Sequence, residues 1–119
     1  MQKSSPVGRS VADFVKLFKP IDEFDVTKTL YRGLTGFEDG KTVIHLTDDA
    51  TVAATYTQKG YEVMKYEMTQ FSLKSLEASG ELTMKTGIHG PTGVISTEYM
   101  FSGKNLVEGV NSMATPLKE

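Results

Sequence analysis

An arginine set between two leucines does most to limit what this chain can become. The run Thr29-Leu30-Tyr31-Arg32-Gly33-Leu34 is short and apolar, as a strand is. Alternation along a strand puts Leu30, Arg32 and Leu34 on one face and Tyr31 and Gly33 on the other. A guanidinium in an apolar stripe is costly unless its donors meet an anion or a set of acceptors. Gly33, without a Cβ, lets a second backbone or a ligand approach closely. Together they suit bidentate capture of a phosphate or carboxylate. The competing reading is an edge-strand arginine reaching out to a surface aspartate.

The rest of the composition excludes more than it assigns. At 119 residues the chain makes one small domain with a single core. Apolar residues at 39% and charged residues at 24% are ordinary for a globular chain. A net charge of −2 without a basic block carries no nucleic-acid signature, although a local patch is still open. No apolar run approaches the roughly 18 residues of a membrane span, so none is expected. The first ten residues lack the charged-then-apolar pattern of a signal peptide. Without cysteine there is no disulfide, thiol nucleophile or thiolate metal site. The two histidines, His45 and His89, are too few for a zinc site without carboxylate help, and no metal is expected.

Taken in order, residues 1–9 read as a polar, flexible tail containing Pro6 and Gly8. Residues 10–111 read as the single domain, and residues 112–119 as a flexible C-terminal tail. Ser10 with Asp13 caps a helix whose apolar positions are Val11, Phe14, Val15 and Phe18, ended by Lys19-Pro20. A linker, 21–26, leads to the Arg32 strand. A turn follows at Gly36–Thr42, around Asp39-Gly40, and then a strand over Val43–Thr47 with His45 and Thr47 on one face. Thr47-Asp48-Asp49 starts a helix through about Gln58, with Val52, Ala53 and Tyr56 as its stripe and Gly60 as its cap. Tyr61–Met68 reads as a strand, and Phe71, Leu73 and Leu76 as a short helix. Glu81–Lys85 reads as a strand, 86–93 as a loop carrying His89, and Val94–Phe101 as a strand. Leu106–Val110 is a last strand or helical turn. The last clear strand sets Ile95, Thr97, Tyr99 and Phe101 on a core-like face and Ser96 and Glu98 on the other. The class is α+β, mostly strands with two or three short helices.

The order of these pieces resembles a family. A Tyr31-Arg32-Gly33 strand is followed by Leu46-Thr47-Asp48-Asp49 and the helix Val52-Ala53-Ala54-Thr55-Tyr56. Then come the strand Glu62-Val63-Met64-Lys65-Tyr66-Glu67 and a late-strand glutamate, Glu98. Over residues 29 to about 106 the chain is similar to the mono-ADP-ribosyltransferases, in particular the small toxin domains at the C-termini of bacterial effectors. The resemblance implies a split β-sandwich of two small, mainly antiparallel sheets with a cleft between them. It implies NAD⁺ as substrate and no metal. Arg32 would hold phosphate and ribose of the dinucleotide, flanked by Tyr31 and Gly33. Thr47 would brace the site, Tyr56 would pack against nicotinamide, and Glu98 would bond the nicotinamide ribose. The chemistry asks for these types. A departing cationic nicotinamide leaves an oxocarbenium-like ribose that a carboxylate stabilises, a planar cation stacks on tyrosine, and a pyrophosphate favours bidentate arginine.

One position departs from the pattern. Many members carry glutamate or glutamine two residues before the catalytic one, to address an arginine acceptor, and Ser96 stands there in this chain. Other protein side chains, nucleic acid or water are therefore open as acceptors. A rival reading uses the other face of the same strand, where Thr97 and Tyr99 with His45 or His89 and Lys65 would form a small ribonuclease site. A third is a binding domain with no catalytic site. The resemblance further implies a monomeric domain delivered by a larger effector into a recipient cell. It would act there on a target macromolecule and be held in check at home by a cognate immunity protein.

Overall fold

The computed structural model describes residues 9–20, 22, 24–34, 42–57 and 62–117. Its first helix forms where the capping signal lies. In α1 (Val11–Phe18) the Ser10 hydroxyl accepts from the Asp13 amide, and the Asp13 carboxylate accepts from the Ser10 amide. Phe14 and Phe18 face the core. Arg9, expected in a loose tail, pairs with Glu81 and stacks on the Phe14 ring with its guanidinium carbon 4.8 Å from the centroid. The rest of that expected tail, 1–8, lies outside the described residues, as do the Asp39-Gly40 turn and the Gly60 cap.

Among the described residues six strands follow: β1 (Thr27–Gly33), β2 (Val43–Thr47), β3 (Val63–Thr69), β4 (Leu82–Ile88), β5 (Ile95–Ser102) and β6 (Thr115–Pro116). They form one antiparallel sheet in the order β4-β5-β2-β1-β3-β6. The expected pair of separate sheets is therefore corrected to a single sheet. Its halves are joined sparingly. β1 pairs with β3 along its whole length, from Thr27 against Thr69 to Gly33 against Val63. Its pairing with β2 is confined to Tyr31 opposite Thr47. Beyond that point neither Arg32 with Leu46 nor Gly33 with His45, the next positions in register, pairs, and the site opens there.

Three further helices, α2 (Ala50–Ala54), α3 (Gln70–Ala78) and α4 (Lys104–Ser112), make four among the described residues rather than the expected two or three. One face of the sheet (Leu30, Ile44, Leu46, Tyr66, Met68, Leu82, Tyr99 and Phe101) is buried with Phe14, Phe18, Leu73, Leu76, Leu106, Val107 and Val110 of α1, α3 and α4. α2 packs Val52 and Ala53 outside this cluster, against β1 and β2. The last helix replaces the expected strand or single turn. Leu106, Val107 and Val110 do recur at helical spacing, but Gly103 offers no side-chain cap and Gly109 interrupts the run. Gly109 is there for packing, since a Cβ on it would sit 3.1 Å from the Phe14 Cβ. Residues 112–117, expected as part of a flexible tail, close α4 and add β6 beside Met64 and Lys65.

Faces along β5 also differ from expectation. Tyr99 and Phe101 are core, but Ile95, on the same face, is 71% exposed. The β4–β5 hairpin projects past the helices, so Ile88 and Ile95, paired at its tip, meet no layer above them. β4 is correspondingly longer than the strand expected to end at Lys85.

Candidate active site

A cavity of about 520 Å³ opens where β1 and β2 part. That is within the range of small-molecule sites, roughly 300–1,000 Å³. Arg32, Gly33, His45, Thr47, Tyr56, Lys85, His89, Ser96 and Glu98 are among its lining residues. Antiparallel register explains much of the gathering. Thr47 of β2 and Lys85 of β4 both lie opposite Glu98 of β5, one on each side. Residues directly opposite in adjacent strands share a face, so threonine, glutamate and lysine form a row across the sheet. Gly87 and Ser96, paired further along the hairpin, continue the same face.

Glu98 is held diagonally. His45 Nδ1 lies 2.9 Å from Glu98 Oε2, although the residue directly opposite His45 is Met100. Thr47, nearly buried, accepts from the Asp49 amide at 3.3 Å. Asp49 in turn caps α2, accepting from Thr51 and Val52 at 2.8 and 3.0 Å. Asp48 fastens this corner to β5: its Oδ1 accepts from the Thr97 amide at 2.9 Å, and its own amide donates to the Thr97 carbonyl. The positions of Thr47 and Glu98 are thus fixed by one hydrogen-bonded corner.

The far wall comes from two loops. Tyr56 stands in the turn after α2, and its ring meets that of His89 edge-on at 5.6 Å and 69°. The His89 ring also reaches the Thr92 hydroxyl, 2.8 Å from Nδ1, and the Thr55 hydroxyl, 3.4 Å from Nε2. The β4–β5 hairpin loop therefore bridges to the end of α2.

Of the residues singled out from sequence, Arg32, Thr47, Tyr56 and Glu98 line this one cavity. Tyr31 is not among the lining residues; it makes the single junction of β1 with β2. Gly33 lines the cavity, yet its missing Cβ serves the fold. A Cβ there would lie 2.4 Å from the Ala53 carbonyl oxygen and 2.7 Å from Thr57 Oγ1, so the close neighbour is α2 and not a ligand. The rival set does not assemble as expected. Tyr99 is buried in the core, with its hydroxyl pushed above the usual tyrosine range by burial. Thr97 pairs its hydroxyl with that of Thr86 at 2.8 Å, and Lys65 is not among the lining residues. Both histidines do reach the cavity, and the lysine there is Lys85. Sequence reasoning gives Lys85 no role. Its signal is the hairpin register that sets it opposite Glu98, which needs the loop length to be known.

No family model, curated protein or solved structure matches the chain. Among the described residues no cluster of histidine, aspartate and glutamate is placed to hold a metal ion, and no helix is long and apolar enough to cross a membrane.

Proposed function

We propose that the domain binds NAD⁺ in the Arg32–Glu98 cavity, splits the bond to nicotinamide, and passes ADP-ribose to a macromolecule or to water. The observation that supports this best is the company Glu98 keeps. A carboxylate on a central strand shares one cavity with an arginine, a strand-end threonine and an exposed tyrosine. Arg32 would bind the pyrophosphate through its planar fork. Tyr56 would cover the nicotinamide ring, and Thr47 would brace the floor. As the glycosidic bond lengthens, positive charge grows on the ribose, and Glu98 would stabilise it without moving. In this reading the domain is a toxin module of a bacterial effector, and an immunity protein would close the cavity with acidic or amide groups set against Arg32.

A second reading has an observation of its own. His45, His89 and Lys85 surround the same cavity, and two imidazoles with an ammonium group also suit phosphodiester cleavage. One experiment separates the two. Purified domain incubated with NAD⁺, alone and with bacterial lysate, releases nicotinamide, and Glu98→Gln lowers the rate by about 100- to 1,000-fold with its thermal midpoint unchanged. No release under either condition, with cleavage of added RNA instead, assigns the site to ribonuclease chemistry.

A further inference from the structure

We infer that His45 is a general base and that the nucleophile this cavity activates is an O–H group, water or an alcohol. The inference takes its electrophile, the nicotinamide ribose, from the proposed NAD⁺ reaction, but its geometric ground is independent of it. His45 Nδ1 and Glu98 Oε2 are 2.9 Å apart. An ionised carboxylate only accepts, so in the neutral ring the nitrogen facing it carries the hydrogen. The lone pair then lies on Nε2. The carboxylate fixes which tautomer is present and so makes the far nitrogen the basic one.

Both side chains are about half exposed, at 54% and 53%, and both line the cavity. The pair lies diagonally across two adjacent antiparallel strands and is open to a ligand in the cavity. Only one oxygen of Glu98 is engaged by the imidazole, which leaves Oε1 for the ribose. The acceptor side fits as well. A guanidinium acceptor calls for an acidic or amide group beside Glu98 to accept from it, and the residue two before Glu98, on the same face, is Ser96. An alcohol or water needs instead a base of near-neutral strength, which an imidazole supplies.

The step balances without a further reactant. The acceptor oxygen bonds to the ribose C1′ as the C1′–N bond to nicotinamide breaks. The bonding pair leaves with nicotinamide and neutralises its ring nitrogen. The acceptor proton passes to His45 Nε2, and the ionised Glu98 stabilises the imidazolium that results.

Two variants separate a base from a mere prop. His45→Asn keeps an amide donor about where Nδ1 lies and removes Nε2, whereas His45→Ala removes both. A general base predicts that both lower NAD⁺ turnover about 100-fold with KM for NAD⁺ little changed. Recovery of wild-type turnover by His45→Asn alone overturns the inference and makes His45 a positioning residue. Nitrogen-15 NMR of the imidazole tests the same claim without turnover. The wild-type ring should hold its hydrogen on Nδ1, and Glu98→Gln should move the population towards Nε2. A wild-type ring already protonated at Nε2 alone overturns it. If nicotinamide is never released, the NAD⁺ reading falls while the NMR result still decides the dyad.

Discussion

A Cβ on Gly33 would lie 2.4 Å from the Ala53 carbonyl oxygen, so β1 and α2 meet backbone to backbone at the edge of the cavity. The contact couples two parts of the site, since Arg32 precedes the glycine and Tyr56 follows the end of α2. Close approach explains why glycine accompanies the arginine more directly than ligand contact does.

Gly33→Ala should therefore destabilise the fold by about 1–3 kcal/mol, the usual cost of forcing an extra methyl into a packed site. The obstructing atom is backbone, which gives way less readily than the end of a side chain. Gly90→Ala is the control, because a Cβ there meets nothing within 4 Å. Urea denaturation of the two variants should show a lower midpoint for the first only; equal midpoints would mean that α2 is free to move off β1.

Which features are readable in the sequence follows from the range of the forces involved. The α1 capping box, the alternation in β3 and the grouping of His45 with Thr47 are local, and local pattern is enough to find them. The single sheet is not legible, because whether β1 and β2 join depends on one contact between Tyr31 and Thr47. α4 is obscured by Gly109, a poor helix residue whose place is set by the neighbouring Phe14. Lys85 escapes notice because its place beside Glu98 depends on pairing across a hairpin.

The α1–α4 contact gives a second stability prediction. Gly109→Val would push a Cβ and two methyls towards Phe14 and the Val11 carbonyl oxygen, and the Cβ alone would lie 3.1 Å from the Phe14 Cβ. Valine also gains some helix propensity over glycine, by a few tenths of a kcal/mol. Overpacking at roughly 1–3 kcal/mol outweighs that gain. Thermal unfolding should show a clear fall in midpoint for Gly109→Val; an unchanged or higher midpoint would mean that the two helices separate at little cost.

The α1 cap carries a pH dependence. The Ser10 amide, then the Ser10 hydroxyl, hold the Asp13 carboxyl below its ordinary value of 3.8. A depressed folded-state value means that the ionised cap stabilises the fold above 3.8 and that this contribution is lost as pH falls through the lower folded value. Asp13→Ala should lower the denaturation midpoint at neutral pH, and its gap from wild type should narrow in acid. A gap that stays constant down to about pH 2 would show that the carboxylate charge does not contribute.

The last prediction concerns what the proposed activity would do to a cell. Uncontrolled splitting of NAD⁺ or modification of an essential macromolecule is incompatible with growth, so the wild-type domain expressed alone in a bacterium should arrest it. Arg32→Ala should relieve the arrest by weakening the hold on the pyrophosphate, and Glu98→Gln by removing charge stabilisation from the bond-breaking step. Tyr99→Phe should remain toxic, because the Tyr99 ring is core and the residue is not part of the cavity lining. Growth curves compared at equal protein level, set by immunoblot, make the test quantitative. A wild-type domain that accumulates to high level without slowing growth would rule out the toxin reading, whatever the cavity binds in vitro.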